Sequence, residues 1–300
     1  MPIYELAALG AAVCWATTGL LATRPVADLG PIAFNFRKQV ICTIALIVIV
    51  VIMGRWQAVN LALIPPVLAS GLVGIFLGDT LLFLAFRTLG PRRTGAIFAL
   101  NAPIAGLLGW AFLGETISLA GWLGIVMCAS GVAICVLGRG GSNRFETVDG
   151  RIAVGVALGL LAALCQAIGS LIARPVMEAG MDPFLASLLR VAVGAMGLAL
   201  VSTLPLRQVR PKGPLSRTGG VHLVASAIMS MVVGMTLLLF ALQGGKVGIV
   251  STLSALTPVV FLPIMWAVTG ERPTGASWLG ALIAVAGMAL IFMRGGVANS

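Results

Sequence analysis

Ten long apolar runs, separated by short polar connections, follow one another along the chain. Each run is about 20 residues long, and a helix of that length, rising 1.5 Å per residue, crosses a bilayer core of about 30 Å. The runs cover approximately residues 3–22, 33–53, 63–86, 94–113, 119–137, 152–173, 184–204, 220–241, 247–269 and 275–293. The pattern predicts an all-α membrane protein with ten transmembrane helices.

Residues within and between the apolar runs recur at a constant spacing, so the sequence contains an internal repeat. Identical residues recur at an offset of 156 (266 − 110 = 156): Trp110 with Trp266, Glu115 with Glu271, Gly124 with Gly280 and Gly131 with Gly287. We therefore predict a first five-helix repeat at 1–143, a linker at 144–150 and a second five-helix repeat at 151–296. Because five is odd, the second repeat is expected to insert upside down relative to the first, as in many secondary transporters.

The composition supports a membrane location, and the positions of Lys and Arg account for the positive net charge. The chain is 59% hydrophobic and 9% charged, whereas a soluble domain carries about 25% charged residues. Its net charge of +10 does not indicate nucleic-acid binding, because most Lys and Arg lie at the ends of apolar runs, where they anchor topology and attract anionic lipid. The side reached after odd-numbered runs carries 14 of the 19 Lys and Arg residues, which predicts a cytoplasmic location for that side and an outside location for both termini.

The motifs of several other functions are missing from the sequence. The five cysteines lie within apolar runs without a CxxC pair or a Cys–His cluster, so we expect no metal site and no disulfide. There is no GxxxxGK[ST], HExxH or GxSxG motif, so we expect no ATP motor, no common hydrolase mechanism and no cofactor. An intramembrane enzyme acting on lipid and a non-transporting scaffold or receptor are the alternatives from other classes.

Asp79 is the only acid well inside an apolar run. A carboxylate at this depth costs about 2.5–3.5 kcal/mol on insertion scales, which makes it a functional candidate. It either pairs with a base such as Arg37, Lys38 or Arg87, or binds a proton or a substrate ammonium group. Thr80 follows it, and Thr236 lies at the matching place in the second half, so we include both hydroxyls in the predicted site.

Two prolines interrupt the fourth and ninth runs at matching places. Pro103 follows Asn101, and Pro258 follows Thr257 and Ser254. A proline inside a helix leaves the carbonyl four residues earlier without its donor, and in lipid that carbonyl needs a partner or a wet cavity. Matched breaks in two halves indicate a binding site near the midplane; a kink that serves only packing is the alternative.

The first and sixth runs place Trp15 opposite Gln166 in the repeat. An indole in mid-membrane suits the wall of a site for an apolar or aromatic ligand, and an amide there needs hydrogen-bond partners. Thr18 and Ser170 lie close by in sequence and join the predicted substrate site. A lipid-facing indole and a hydrogen bond between helices are the structural alternatives.

Three other charged residues are expected to be structural. Glu115 and Glu271 lie close to the starts of the fifth and tenth helices, where a carboxylate interacts favourably with the helix N-terminus. Arg190 is expected to pair with Asp182 or Glu178, and binding a substrate carboxylate is its second interpretation.

The doubled unit resembles the EamA-type ten-helix members of the drug/metabolite transporter superfamily, over nearly the whole chain. The matching residues are Pro103, Gly114-Glu115, Trp122-Leu123-Gly124 and Gly131, then Pro258, Gly270-Glu271, Trp278-Leu279-Gly280 and Gly287. The resemblance implies a multi-pass permease of the bacterial inner (plasma) membrane. It also implies a central cavity between the halves, with helices 1, 3, 4, 6, 8 and 9 nearest to it.

From this resemblance we expect a secondary transporter that exports small organic metabolites such as amino acids by alternating access. Facilitative or exchange transport of drugs, nucleotide sugars or organic anions is the alternative, followed by a non-transporting membrane protein. The expected partners are a small-molecule substrate, protons if transport is coupled, and the lipid bilayer, with no nucleic acid. We expect a monomer or a weak dimer.

Overall fold

A computed structural model describes residues 2–58, 60–137, 152–203, 213–269 and 272–295, which form helices and turns without a strand. The α-helices are α1 (Pro2–Leu21), α2 (Thr23–Leu29), α3 (Pro31–Ile52), α4 (Ile64–Gly71), α5 (Gly78–Phe98), α6 (Asn101–Leu113), α7 (Leu119–Leu137), α8 (Ile152–Glu178), α9 (Pro183–Ser202), α10 (Arg217–Ala227), α11 (Met235–Gly244), α12 (Val247–Ser254), α13 (Thr257–Thr269) and α14 (Gly275–Gly295). The predicted linker and Glu271 lie outside the described residues.

The described helices include nine stretches long and apolar enough to cross a membrane. The described apolar part of a tenth helix, Gly275–Ile291 within α14, is shorter than these. The prediction of an all-helical membrane protein is confirmed, and the count of ten spans stays a prediction.

Contacts with α8 show how the third and fourth spans pack. Residues of the third span meet α8 in descending order: Gly74 packs against Gly169, Gly78 against Cys165 and Leu89 against Gly155. Ile97 then packs against Gly159, which lies back along α8. The third and fourth apolar stretches, Leu61–Ala85 and Thr94–Leu113, therefore both pack on α8, and α5 holds the end of the one and the start of the other.

The repeated glycines have a packing role between α7 and α14. A Cβ on Gly124 would lie 2.7 Å from the Gly287 carbonyl oxygen, and a Cβ on Gly131 would lie 2.6 Å from the Gly280 carbonyl oxygen. Small residues let helix backbones approach closely in a membrane. The Ser277 hydroxyl adds a hydrogen bond of 3.1 Å to the Cys135 carbonyl. The sequence repeat thus brings one helix of each half into direct contact.

Two π-helical segments interrupt the third and eighth spans. They cover Leu72–Leu77 and Ile228–Gly234, and their starts differ by the same 156 residues (228 − 72 = 156). A π-helical stretch changes the angular position of everything that follows it, and such stretches are frequent at functional sites. Here Asp79 and Thr236 come directly after the two segments.

Candidate functional site

The fourth span is interrupted between α5 and α6, close to Pro103. The carbonyl that this proline deprives of its donor belongs to Ala99, and it accepts a hydrogen bond of 3.3 Å from the Ala102 backbone N–H instead. Asn101 is buried, and its side-chain amide donates to the Phe98 carbonyl at 2.6 Å. Asn101 therefore satisfies backbone at the interruption.

The ninth span is interrupted at the matching place, between α12 and α13. Pro258 leaves the Ser254 carbonyl without its helical donor, and the Thr257 hydroxyl donates to that carbonyl at 3.0 Å. The Ser254 hydroxyl in turn donates to the Ser251 carbonyl at 3.1 Å. Both halves thus carry irregular backbone with short-range polar compensation at equivalent positions.

Trp15 ties α1 to the π-helical segment of the eighth span. Its indole N–H donates to the Ser230 carbonyl at 3.0 Å, and the ring also packs against Gly234. The repeat counterparts also lie together, because the backbone of Gln166 lies against Gly78. Trp15 and Gln166 are both half-buried, so neither is simply a lipid-facing side chain.

The four other hydroxyl residues of the predicted site, besides Ser254 and Thr257, are partly or fully buried, and three of them have assigned hydrogen bonds. The Thr18 hydroxyl donates to the Cys14 carbonyl at 2.8 Å, the Thr80 hydroxyl donates to the Phe76 carbonyl at 2.5 Å, and Thr236 shares a hydrogen bond of 3.0 Å with Ser187. The fourth, Ser170, is 2% exposed. The Thr80 bond satisfies a carbonyl of the π-helical segment, and the Thr236 bond joins the seventh and eighth spans.

Asp79 is half-buried and has no ion pair within 4.0 Å among the residues that the structure describes. Lys38 on α3 and Arg190 on α9 are the cations that interact with it electrostatically. The structure brings these three residues from three different helices into one region, although it does not join them directly.

Arg190 is fully buried, and its Nε, Nη1 and Nη2 atoms have no hydrogen-bond partner among the described residues. The expected pairing with Asp182 or Glu178 is wrong. Asp182 forms an ion pair of 3.4 Å with Arg55 and caps the N-terminus of α9. Glu178 forms an ion pair of 3.2 Å with Arg174, one turn before it on α8.

Two buried amides complete what we call the Arg190 cluster: Asn35, Lys38, Gln39, Asp79 and Arg190. Gln39 donates to the Asn35 side-chain oxygen at 3.4 Å. The Asn35 amide nitrogen and the Gln39 amide oxygen have no other partner among the described residues. The amides were not predicted, although polar residues three and four apart inside an apolar run are a sequence signal for one polar helix face.

Glu115 joins the two halves at one end of the molecule. Both of its carboxylate oxygens accept from the Val247 backbone N–H, at 3.0 and 2.9 Å, and one oxygen lies 3.6 Å from Arg174 Nε. The Lys246 ammonium donates to the Thr116 carbonyl at 2.6 Å. The expectation that Glu115 serves the start of the fifth helix is wrong, because it caps α12 of the other half.

The same end carries further contacts around Arg174, whose side chain is 11% exposed. Its guanidinium donates to the Gln243 carbonyl at 3.3 Å, and the Gln243 amide donates to the Met181 carbonyl at 3.2 Å. Burial raises the pKa of Glu115, while the Val247 N–H and the Arg174 charge oppose that rise. We call this group, with Glu178 and Lys246, the Glu115 face.

The opposite end has a smaller contact between the halves, the Asp28 face. The Asp28 carboxylate accepts from the Ser216 hydroxyl at 2.7 Å and from its backbone N–H at 3.2 Å. These hydrogen bonds, with the nearby Arg24 charge, lower the pKa of Asp28. The Ser216 hydroxyl also caps α10 through the Gly219 N–H.

The course of α1 shows that these two faces lie at opposite ends of the spans. Tyr4, at the start of α1, packs against Gly244 and has its ring centroid 5.4 Å from that of Phe240. Gly244 is two residues before Lys246, so this end of α1 lies at the Glu115 face. Asp28 follows the other end of α1, which at 1.5 Å per residue is about 30 Å away.

Metal and disulfide chemistry receive no support from the described part of the chain. No group of three or more His, Cys, Asp or Glu residues is arranged there to hold a metal ion. The five cysteines are free thiols, and Cys42 and Cys128 are used in packing, with sulfur contacts to carbonyls of other helices.

Comparison with known proteins gives this geometry a family. The family model of EamA-like transporters matches residues 2–137 and 153–293. The chain belongs to the EamA-like transporter family. The predicted resemblance is thereby confirmed, and the protein is a membrane transporter by family.

Two relatives of this EamA-like protein are named as transporters. It is 26% identical over 232 residues to an uncharacterized transporter of Synechocystis sp., covering 72% of this chain and 69% of that one. It is 25% identical over 215 residues to the uncharacterized transporter YxxF of Bacillus subtilis, covering 71% and 65%. A solved crystal structure that is 18% identical has a TM-score of 0.80 over 99% of both chains, which supports the fold alone.

Proposed function

We propose that this protein is a secondary transporter of small organic metabolites such as amino acids, working as an exporter in the inner (plasma) membrane of a bacterium. Family membership supports transport. The observation that carries the mechanism is the pair of interrupted spans at matching places in the two halves. Irregular backbone at membrane depth is tolerated where it is buried in protein or lines a wet cavity.

The proposed mechanism is alternating access between two inverted five-helix repeats, 1–143 and 151–296. The interruptions, the π-helical segments and the connection from Trp15 to Ser230 lie between the Glu115 face and the Asp28 face. We propose that the substrate binds at this level, in contact with some of the predicted residues: Trp15, Thr18, Asp79, Thr80, Asn101, Gln166, Ser170, Thr236, Ser254 and Thr257. Pro103 and Pro258 would serve as the breaks that free backbone near it.

The two faces supply the gating contacts in this proposal. Glu115 in the first half holds Arg174 and the start of α12 in the second half, so this face is closed. The repeat places Arg24 at the position equivalent to Arg174, and Arg24 is exposed. In the opposite state we expect Arg24 to take a buried partner while Arg174 is released.

Flux measurements test this proposal directly. Protein reconstituted in proteoliposomes should move at least one small metabolite from a panel of amino acids, organic acids and cationic drugs. No movement of any of them would contradict transport. Resistance of an overexpressing strain to toxic amino-acid analogues, measured against the same strain with an empty vector, tests the direction, because an exporter raises resistance and an importer lowers it.

Coupling to protons is the finer part of the proposal, and Asp79 is its candidate carrier. An intramembrane carboxylate near two cations can gain or lose a proton when a substrate enters. Asp79→Asn should reduce transport or remove its dependence on pH, measured beside the unmodified protein. Unchanged rates over mildly acidic and neutral pH would favour facilitated movement down a gradient.

A further inference from the structure

The Arg190 cluster has more positive charge and more hydrogen-bond donors than its own residues satisfy. Arg190 is 0% exposed and Lys38 is 7% exposed, while Asp79 is the one acid that interacts with both of them in the described part of the chain. Three guanidinium nitrogens and the Asn35 amide nitrogen are buried without a partner. An uncompensated buried charge is strongly unfavourable, so the cluster is suited to receive an anion.

The backbone around Arg190 is built to accommodate its side chain. A Cβ on Gly74 would lie 3.2 Å from a guanidinium nitrogen, and a Cβ on Gly71 would lie 2.6 Å from the Arg190 Cα. Both glycines lie in or beside the π-helical segment of the third span. A larger residue at either position would move α9 or the guanidinium, so the packing fixes the guanidinium against Gly74.

The chemistry of the donors specifies the kind of ligand. A guanidinium presents a planar fork of N–H groups that matches the two oxygens of a carboxylate. The Lys38 ammonium lies 5.8 Å from the Phe34 ring centroid. This aromatic contact does not neutralise the ammonium charge, which can also attract an anion. Asp79 supplies the opposite charge close by, as a positively charged amino group would require.

We propose that Arg190, supported by Lys38 and Asn35, binds the carboxylate of the transported molecule, which makes the substrate a small carboxylate-bearing solute. This inference rests on the proposed transport function and narrows its substrate class. Asp79, which interacts electrostatically with Arg190 and Lys38, would supply the negative charge for the amino group of an amino acid, so zwitterions are the preferred members of the class. Cationic drugs without a carboxylate are excluded from it.

Thermal unfolding of the full-length protein in detergent tests the subsite with matched ligands. One series is L-phenylalanine, L-phenylalaninamide and 3-phenylpropionate; the other is L-alanine, L-alaninamide and propionate. A ligand that binds the native state raises Tm in proportion to its saturation. We expect the carboxylates of at least one series to raise Tm and the amides to have no effect. An equal effect of an amide and its carboxylate, or no effect of any carboxylate, would overturn the proposal.

Variants at Arg190 separate a binding role from a structural one. Arg190→Gln should weaken carboxylate binding by about 10–100-fold, as expected for losing charge-assisted hydrogen bonds. Arg190→Lys keeps the charge and should weaken binding less than Arg190→Gln does. Arg55→Gln, at a half-exposed arginine, is the control and should bind as wild type. The Tm of ligand-free Arg190→Gln should fall little, because the removed charge has no hydrogen-bond partner among the described residues and interacts with Asp79 without direct contact. A lower Tm with unchanged affinity would show that Arg190 is structural.

If Arg190→Gln does not fold, ligand binding by Lys38→Gln and by the unmodified protein still tests the proposal. Lys38→Gln should weaken carboxylate binding by less than Arg190→Gln. Flux in proteoliposomes is measured beside binding, so the two proposals fail separately. Transport of solutes without a carboxylate, with no carboxylate binding, would refute the subsite and leave the transporter. Carboxylate binding without any flux would refute the transport function and leave the subsite.

Discussion

The two ends of the molecule hold the halves together by different means. At the Glu115 face, a 9% exposed carboxylate accepts from the Val247 N–H and pairs with an 11% exposed Arg174. At the Asp28 face, an exposed hydrogen bond joins Asp28 to Ser216. Removing one partner of a buried charged pair is more destabilising than removing one partner of an exposed pair, so we expect the Glu115 face to depend more strongly on its charged residues than the Asp28 face does.

The two halves therefore use equivalent residues of the sequence repeat in contacts that differ in burial. Arg174 and Arg24 occupy equivalent places in a repeated Leu-x-x-Arg-Pro-Val segment, yet only Arg174 is buried against the other half. In an alternating-access transporter such inequality is expected of any one state, since closing one face accompanies opening the other. Changing matched residues at the two faces therefore tests the interpretation.

The largest effect is expected from Arg174→Gln. It leaves the buried Glu115 carboxylate without its ion pair, and breaking a largely buried pair from one side costs about 2–4 kcal/mol of stability. Arg24→Gln, at the equivalent exposed residue, is the control and should change stability by less than about 0.5 kcal/mol. Chemical denaturation in mixed micelles measures both. Equal losses would show that the two faces are equivalent.

A smaller loss is expected from Glu115→Gln, about 1–2 kcal/mol, because the amide oxygen can still accept from Val247 and Arg174 keeps its contact with Glu178. The control is Glu178→Gln, since the Glu178 side chain is 63% exposed while it pairs with the same arginine. Exposed pairs contribute roughly 0–1 kcal/mol. If the control lost as much stability as Glu115→Gln, the contact of Glu115 with the other half would stabilise the protein no more than the exposed pair does.

Acid should tighten the Glu115 face. Because burial raises the pKa of Glu115, this carboxyl binds a proton more readily than an exposed glutamate, so a falling pH favours the state in which Glu115 is buried. Lys246 and Glu178 are the other charged groups around it. Labelling of a cysteine at Thr116, measured relative to an exposed reference cysteine at the same pH because thiols react more slowly in acid, should decrease as the pH falls, and Glu115→Gln should abolish that decrease.

The Asp28 face should respond to acid in the opposite sense and at lower pH. The pKa of Asp28 is lowered by hydrogen bonds from Ser216, so its contact is present above the ordinary aspartate range and is lost only as the pH falls below that range. On the same relative scale, labelling of a cysteine at Ala27 should stay constant where that at Thr116 decreases, and it should rise only at lower pH. Loosening of the Glu115 face as the pH falls, or of both faces at the same pH, would contradict the assignment of these pKa directions.

The smallest change is expected from Asp28→Asn, because the amide oxygen can still accept from the Ser216 hydroxyl and the contact is exposed. Tm should fall slightly or stay unchanged. Ser216→Ala, which also removes the cap of α10, should lower Tm more. A larger effect of Asp28→Asn than of Ser216→Ala would show that Asp28 has partners beyond Ser216.

The sequence predicted the class, the repeat and the places of the interruptions because these depend on local residues. Pro258 deprives Ser254 of its donor whatever the tertiary structure, and the nearby Thr257 hydroxyl supplies a replacement. The partner of Glu115 was not predictable in this way, because Val247 is 132 residues distant. A contact of that range depends on how the two halves pack.

The π-helical segments and the Arg190 cluster were missed for related reasons. A π-helical stretch has no strong residue signature, and of the glycines around the first segment, Gly71, Gly74 and Gly78, only the last has a glycine counterpart, Gly234, at the second. Arg190 was expected to pair with acids close in sequence, and these acids have other partners. Its actual neighbours come from α3 and the third span, which only the fold brings together.

The central claim, that the two faces are coupled in opposite senses, is tested most directly by two distances measured by electron paramagnetic resonance. Spin labels at Thr116 and Glu178 report on the Glu115 face, and labels at Ala27 and Arg217 report on the Asp28 face, in a background without native cysteines. In Glu115→Gln the first distance should lengthen and the second should shorten. Lengthening at the Glu115 face with no change at the Asp28 face would contradict alternating access between these contacts.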